Sequence, residues 1–512
     1  MANCKKPNGF LKAVGYDSTK QTSVKTEIIA GIVTFLAMAY ILTVNPNQIL
    51  YAGTADPRWS SLFIATAFGA IIGTLLMAFF AKMPLAQASG MGLNSMLGTV
   101  IGGGIGAVST YVFDFTIGQA FAMVLISGII FLLLSVINIK GKSFRELVFD
   151  GMPVAVRSAI SVGIGLFIAY IGFQNAGIIV TNGFTQVGFV DFTNWGDQVV
   201  NYLSPTGTWA AAKSAVVALS GLFLIAILDK LNVKGSVIFG ILGATIIGIP
   251  LKVTDPSVML GNEPGISWKF WENFGNFFAG GEESVFGSFL DVFSTGFPDG
   301  SLFTVIMIII TMCMIDMFDT MGTIVGCCGG NRILSDENNK PYNYDKIMMS
   351  DSIATCAGAM LGTSTVTTFV ESGAGVSAGG RTGLTAFTTA CLFFLATFIM
   401  PVFAAIPSAA TASALIYVGV LMMKNNVKSV DFSDAINATT AFLTIVVMVL
   451  SYSITKGIGV GLIAYTLMQA VLYLVALVRY LVKKEEKPVW NVSLVTVIVT
   501  LLFVVYFFVP VA

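Results

Sequence analysis

The chain has 512 residues, of which 55% are hydrophobic and only 11% are charged, and it carries no formal net charge and no histidine. Because ordinary globular domains contain about 25% charged residues, this composition indicates a polytopic membrane protein. Zero net charge gives no reason to expect a nucleic-acid partner. The lack of histidine excludes HExxH zinc sites and Ser-His-Asp or Cys-His catalysis, so proton chemistry has to run on carboxylates.

The apolar runs form two series of seven. The first comprises 28–44, 61–81, 84–110, 115–138, 154–174, 211–228 and 236–251, and the second 301–326, 347–362, 363–380, 383–406, 409–423, 438–454 and 457–478. Tandem sets with an odd number of spans have opposite orientations, as in the inverted repeats of many secondary transporters. We therefore predict an all-α polytopic fold with about 14 transmembrane segments in a 7+7 inverted repeat. A further run, 490–509, either spans the membrane or lies at its surface.

Basic residues follow the expected alternation. They cluster at 140–145, 332–346 and 479–487, whereas 175–210 contains none and 254–300 contains only Lys269. Lys and Arg accumulate on cytoplasmic loops, so the clusters are assigned to the cytoplasm. The lysines before the first apolar run predict a cytoplasmic N-terminus and an uncleaved first span.

The third run of each series is interrupted, at Pro84 to Gly104 and at Gly362 to Gly383. The β-branched residues TSTVTT open the second interruption and favour an extended backbone over a helix. Extended backbone at membrane depth is tolerated only inside protein or along a wet cavity. Corresponding breaks in two halves are the best sequence indicator of a transport site.

Acidic residues lie within these apolar segments. Asp316 and Asp319 are three residues apart in the eighth run, and Glu371 follows the extended stretch. An acid at membrane depth costs at least about 2.5 kcal/mol on insertion scales, so each marks a cavity, a partner or a proton site, or else locks helix packing. Asp351 is interpreted as a helix-end or interfacial charge, and Arg381 as a cytoplasmic anchor.

The first break offers neutral polar groups and close backbone approach around Gly90, Gly92 and Asn94. Aromatic side chains are candidates for stacking or for plain packing: Phe35, Tyr40, Phe318 and Phe369. Carboxylates that accept N–H groups, helix-end amides that donate and a stacking ring together suit a flat heterocycle. The residues thus predict a proton-coupled carrier for a small, polar, uncharged solute.

Several motifs also resemble one family. They are TEIIAGIVTFLAMAYILTVNP at Thr26–Pro46, GMGLN at Gly90–Asn94, FDTMGT at Phe318–Thr323 and TSTVTTFVESGAGVSAGGRTGLTA at Thr363–Ala386. Over roughly residues 24–482 the chain is similar to the azaguanine-type purine permeases of the nucleobase/ascorbate (xanthine/uracil) permease family. The resemblance implies proton symport of adenine, guanine or hypoxanthine, elevator-like alternating access, a homodimer in the lipid bilayer of the plasma (inner) membrane, and no metal or cofactor.

The resemblance also implies a domain division. The segments are a cytoplasmic tail (1–24), core domain parts 25–140 and 301–406, gate domain parts 141–251 and 407–482, an extracellular loop (252–300) and a C-terminal extension (483–512). The core would hold spans 1 to 4 and 8 to 11, with a short extended segment in each of the broken spans 3 and 10. The gate would hold spans 5 to 7 and 12 to 14.

By motif position, Asp319 and Glu371 match the family's two substrate-binding acids, and Gly90–Asn94 and Thr367–Glu371 match its paired extended segments. The candidate substrate-binding residues are Gly90, Met91, Gly92, Asn94, Phe318, Asp319, Thr367, Thr368, Phe369 and Glu371, with Asp316, Asp319 and Glu371 as candidates for proton coupling. Five residues differ from those common in the family: Ser89, Ser95, Met96, Val33 and Ala37. These differences leave the preferred base open.

Two other classes remain as alternatives. An anion carrier or channel could use the same fold, although paired buried acids repel anions. An intramembrane carboxylate protease would need a GxGD partner motif that does not accompany FDTMGT, so we predict a transporter and not an enzyme.

Overall fold

The computed structural model describes residues 9–17, 21–50, 54, 56–101, 115–139, 142–143, 151–182, 186–193, 195, 199–200, 208–209, 211–233, 235–261, 266–281, 283–328, 333–335, 341–483 and 489–508. Within them the chain is mostly helical, as the sequence predicts. Parts of the predicted basic clusters, at 140–141, 144–145, 336–340 and 484–487, lie outside the described residues, as do 102–110 of the third apolar run.

The first half contains helices and short strands in this order: α1 (Gly9–Ala13), α2 (Val24–Met38), α3 (Ile41–Leu50), α4 (Trp59–Leu76), β1 (Gln87–Ser89), α5 (Met91–Val100), α6 (Ile117–Val136), β2 (Asn138–Ile139), β3 (Lys142–Ser143), α7 (Val154–Asn175), β4 (Ile179–Asn182), β5 (Gln186–Phe189), β6 (Val199–Val200), β7 (Thr208–Trp209), α8 (Ala211–Lys230) and α9 (Ser236–Gly248). A π-helical turn, Met77–Ala81, extends α4. The pairs β2–β3, β4–β5 and β6–β7 are antiparallel and were not predicted.

The second half continues with α10 (Phe270–Ala279), α11 (Val292–Thr295), α12 (Leu302–Cys328), α13 (Tyr344–Leu361), β8 (Val366–Thr368), α14 (Ser372–Ser377), α15 (Gly383–Ala396), α16 (Met400–Ala404), α17 (Ser408–Asn426), α18 (Ala435–Leu450), α19 (Ile454–Lys483) and α20 (Leu494–Phe508). Short 3-10 helices lie at Pro256–Leu260, Ser288–Asp291, Thr397–Ile399 and Val427–Ser429.

Eight helical segments of the described residues are long and apolar enough to cross a membrane: Val24–Leu50, Trp59–Ala81, Ile117–Val136, Val154–Asn175, Ala212–Lys230, Leu302–Met321, Gly383–Ala404 and Lys456–Val482. Shorter apolar helices are Ser236–Gly248, Ser408–Lys424, Ala435–Leu450 and Leu494–Val505. The chain is therefore a multi-pass membrane protein, while the count of fourteen spans stays a prediction. The third and tenth runs give no long helix because strands β1 and β8 interrupt them.

The helices pack in two groups. In the first group, α13 packs on α4 and α6, and α15 packs on α2 and α4. In the second group, α17 packs on α7 and α8, α18 on α7 and α19, and α9 on α8. Glycines permit the close crossing of α7 and α17, since a Cβ at Gly419 would lie 2.5 Å from the Gly165 carbonyl oxygen.

Helix α20 lies along α19. The Thr466 and Thr500 hydroxyls are 3.0 Å apart, the Tyr473 and Trp490 rings meet edge to face, and a Cβ at Gly459 would lie 2.6 Å from Phe503. These contacts cover residues 459–473 of α19, which is about 21 Å of helix. Helix α20 thus packs along a helix that is long enough to span the membrane, and the spanning of α20 itself stays a prediction.

Candidate functional site

The two interrupted runs meet at the centre of the first helical group. Strands β1 and β8 pair antiparallel with Ala88 opposite Thr367, and the Gly90 N–H donates to the Thr365 carbonyl at 2.9 Å. The Phe369 N–H donates to the Ala86 carbonyl at 3.0 Å. This pairing satisfies backbone groups that would otherwise be exposed at membrane depth, which explains how an extended segment is tolerated there.

The expected position of the first extended segment was wrong. The strand is Gln87–Ser89, whereas Gly90 is the N-cap of α5 and Met91 to Asn94 are helical. The methionines and leucines from Met91 onward are good helix formers, and Gly90, without a Cβ, can lie against β8. A Cβ at Gly90 would lie 2.8 Å from the Thr367 Cγ2. In the second break, β8 ends at Thr368, and Glu371 directly precedes α14.

Glu371 is buried, with 6% of its surface exposed. Its Oε1 accepts a 2.5 Å hydrogen bond from the Tyr40 hydroxyl, and its Oε2 has no hydrogen-bond partner among the described residues. Leaving an acceptor of a buried carboxylate unpaired costs free energy, so this oxygen is suited to receive a donor from a ligand.

Tyr40 lies in the short break between α2 and α3. The sequence offered its ring as a stacking surface, but its hydroxyl is what contacts the site, and this hydroxyl also lies 3.5 Å from the Met91 Sδ. Met91 begins α5, so Tyr40 links the first break to the acid of the second. The sequence analysis took the first span as one continuous run, and the only signal of a break there is Pro46, six residues after Tyr40.

Asp319 completes an acidic group with Glu371 and Asp316. Its carboxylate interacts electrostatically with both of these acids, and Tyr40 interacts with Asp319 and Glu371. Asp319 is partly exposed, whereas Asp316 is 1% exposed and accepts a 3.1 Å hydrogen bond from the Thr355 hydroxyl. Of the two acids on α12, Asp319 is therefore the one available to a ligand, and Asp316 is tied to α13.

Asp351 is not an interfacial charge, and that interpretation was wrong. It is fully buried in the third turn of α13, and it accepts hydrogen bonds from the Gln87 Nε2 at 3.0 Å and the Thr320 hydroxyl at 2.8 Å. The Thr368 hydroxyl lies at 3.5 Å. Asp351 thus joins α12, α13, β1 and β8. The surrounding polar residues of α13 were the signal that could have revealed this.

The predicted threonines and asparagine are bonded within the protein. The Thr367 and Thr320 hydroxyls are 2.5 Å apart, the Gln87 Nε2 donates to the Thr368 hydroxyl at 3.3 Å, and the Ser364 hydroxyl donates to the Asn94 Oδ1. All three predicted residues are buried. Their side chains hold the β1–β8 pair in place, and direct contact with a substrate through them stays a prediction.

The remaining candidates have mixed positions. Phe369 is buried beside the strand pair, whereas Phe35 packs edge to face on Phe393 of α15 at 5.2 Å, and the side chain of Phe318 lies outside the described residues. Arg381 is half-buried, and its guanidinium donates to the Val376 carbonyl at 2.5 Å, near the C-terminal end of α14. Arg381 thus stabilises the short helix that follows Glu371.

Glu27 is a buried acid that the sequence analysis did not single out. Its carboxylate accepts from the backbone N–H of Arg381 at 2.9 Å and from the Thr385 hydroxyl at 2.5 Å. These contacts connect α2 to the loop between α14 and α15 and to the first turn of α15. They hold in place the segment that follows the second break.

The fold and the site define a multi-pass membrane transporter whose centre is an antiparallel strand pair with buried acids. The sequence pattern described as "Permease family" matches residues 25–460. The chain therefore belongs to the permease family, and it is a transporter and not an enzyme. The resemblance to the azaguanine-type purine permeases is confirmed.

Named relatives cover most of the chain. The adenine permease AdeP of Escherichia coli (strain K12) is 33% identical over 90% of this chain and 91% of its own. The guanine/hypoxanthine permease PbuO of Bacillus subtilis (strain 168) is 34% identical over 88% and 93%. Among solved structures, the transmembrane domain of a cyanobacterium bicarbonate transporter, BicA, matches with a TM-score of 0.55 and 16% identity, over 86% of this chain and 97% of that one. This likeness concerns the fold.

Proposed function

We propose that the protein imports a purine nucleobase (adenine, guanine or hypoxanthine) by proton symport across the plasma (inner) membrane, with its N-terminus in the cytoplasm. The observation that carries the proposal is the unpartnered Oε2 of buried Glu371, close to Asp319. A purine presents ring N–H donors that two carboxylates can accept, and the first-turn N–H groups of α5 can donate to an acceptor of the base. The names of the relatives agree with this solute class.

The acids also suit proton coupling. Within an apolar environment three neighbouring carboxylates repel one another, so binding a proton with the uncharged base relieves that repulsion. Glu371 would mainly grip the base, and Asp319 would carry the coupled proton. Asp316, already hydrogen-bonded to Thr355, would influence how strongly this pair of acids binds the proton.

The positions of the acids and strands support an elevator motion as part of this proposal. Glu371, Asp319 and the β1–β8 pair belong to elements of the first helical group, which corresponds to the proposed core (25–140 and 301–406). The second group corresponds to the proposed gate (141–251 and 407–482). We propose that the first group moves against the second within a homodimer.

The test is uptake of labelled hypoxanthine into proteoliposomes that carry an imposed pH gradient, inside alkaline. The intact protein should accumulate the base, and Asp319→Asn and Glu371→Gln should abolish accumulation, while the exposed Asp299→Asn should leave it unchanged. Full uptake by both site variants, or uptake that ignores the gradient, would contradict the proposal. Bicarbonate flux in place of purine flux would favour the anion-carrier alternative.

A further inference from the structure

The segment between the two halves of the chain has a structure of its own, for which the proposed transport gives no role. We call the described residues 256–261, 266–281 and 283–295 the collar; it includes Pro256–Leu260, α10, Ser288–Asp291 and α11. We propose that the collar is a lipid-contacting surface, and that it inserts one face of α10 into the interface between headgroups and acyl chains at the end of the bilayer where it lies.

The collar is firmly attached to the first helical group. The Val285 N–H donates to the Ser61 hydroxyl of α4 at 2.9 Å, and the Gly287 N–H donates to the Met360 carbonyl of α13 at 3.2 Å. The Gln119 Nε2 of α6 donates to the Gly296 carbonyl, just after the collar, at 2.6 Å. Three spanning or core helices therefore fix the position of the collar, and its exposed side chains have a defined orientation.

Helix α10 reaches membrane depth. Its Phe274 and Phe277 rings lie 5.8 and 6.1 Å from the ring of Phe68, which is nine residues into the spanning helix that begins at Trp59. At 1.5 Å per residue, that distance is about 14 Å along α4. Phe277 is fully buried on this side, so α10 lies beside a membrane span with one apolar face already occupied.

The other face of α10 is exposed and mostly apolar, with Asn276 as an exposed polar residue in its second half. Trp271 is 60% exposed and Phe278 54% exposed, and Phe293 of α11, elsewhere in the collar, is 82% exposed. From Asn273 to Ala279 the helix has no charged residue, and its charges are confined to the ion pair Lys269–Glu272 at its start. An amphipathic helix with tryptophan at the polar boundary is typical of the membrane interface.

The exposed face continues an apolar surface that lipid already has to cover. The Phe270 ring packs edge to face on Phe398 at 4.9 Å, at the end of α15, where Leu395 and Ile399 are exposed. This part of α15 belongs to the membrane-spanning segment Gly383–Ala404. Because the two surfaces adjoin, lipid is the occupant that fits the face of α10.

The experiment uses the intrinsic tryptophan fluorescence of the full chain in vesicles of phosphatidylcholine brominated on the acyl chains. Bromine quenches only tryptophans that contact lipid, so the quenched signal should fall in Trp271→Phe. It should stay unchanged in Trp195→Phe, which alters an exposed tryptophan of the other long loop. Bromine near the headgroup end of the chain should quench Trp271 more than bromine near the methyl end.

A second variant moves the reporter. Trp271→Phe combined with Phe278→Trp should restore the lost quenching, because Phe278 shares the exposed face. Quenching of Trp271 by aqueous iodide in place of brominated lipid would overturn the proposal, as would protection from both quenchers, which would indicate cover by a second copy of the chain. Neither measurement depends on transport, so a failure here is separate from a failure of the proposed function.

Discussion

The two breaks in the membrane-spanning runs have opposite characters. The break at β1 continues into α5, whose ten residues are all buried and include no ionisable side chain. The break at β8 carries Glu371 and continues into α14, which has six residues and is held by Arg381 at its end. We infer that the first break supplies shape and backbone donors, while the second supplies the charge.

The largest expected effect is on purine binding, and it distinguishes the charge of the second break from the shape of the first. Glu371→Gln should weaken purine binding by roughly 100-fold, since hydrogen bonds to charged groups contribute about 1.5–3 kcal/mol. Asn94→Ala, in the other break, should weaken binding much less and lower stability by about 1 kcal/mol, because Ser364 loses its acceptor. Titration calorimetry and thermal unfolding in detergent measure both. Equal losses of affinity in the two variants would show that the breaks share the binding role.

The next effect tests what holds the two breaks together. Asp351→Ala should lower the free energy of unfolding by about 3 kcal/mol, because it removes the charged acceptor that the Gln87 Nε2 and the Thr320 hydroxyl share in the interior. Uptake should fall with it, because β1 and β8 lose their common anchor. Replacing the exposed Glu283 with alanine is the matched control and should change neither quantity. If the variant is as stable as the intact chain, Asp351 does not hold the two breaks together.

The sequence predicted that both breaks exist and contain extended backbone, but it did not predict all of the residues that form and hold them. Glu371 and Asp319 could be found because an acid in an apolar run is costly, and TSTVTT because β-branched residues favour strands. The displacement of the first strand to Gln87–Ser89 could not be predicted, since it depends on pairing with residues almost 300 positions away. The same holds for Asp351 and Tyr40, whose roles come from partners on other helices.

A smaller effect is expected at Tyr40, whose hydroxyl contacts a residue of each break. Tyr40→Phe removes the donor to the Glu371 Oε1 while keeping the ring next to Met91. The KM for purine uptake should rise about tenfold, in keeping with about 1–1.5 kcal/mol for the lost hydrogen bond to the Glu371 carboxylate. Phe35→Leu, which alters only the packing on Phe393, should leave KM as it is. An unchanged KM in Tyr40→Phe would mean that this hydroxyl only positions the first span.

The smallest effect concerns the shape of the first break. A Cβ at Gly92 would lie 3.1 Å from the Ile164 Cγ2 of α7, where the first helical group meets the second. That is closer than side chains normally approach, so Gly92→Ala should push the two groups apart slightly and reduce the uptake rate a few-fold with little change in affinity.

A compensating variant separates this contact from a local effect on α5. Ile164→Ala removes the opposing methyl group, so the double variant Gly92→Ala with Ile164→Ala should recover most of the lost rate if the contact between the groups is what limits uptake. Gly275→Ala, at a position with open space around it, is the matched control for adding one methyl to a helix. If the double variant is as slow as Gly92→Ala alone, Gly92 acts within the first break and not between the two groups, and the elevator proposal loses this support.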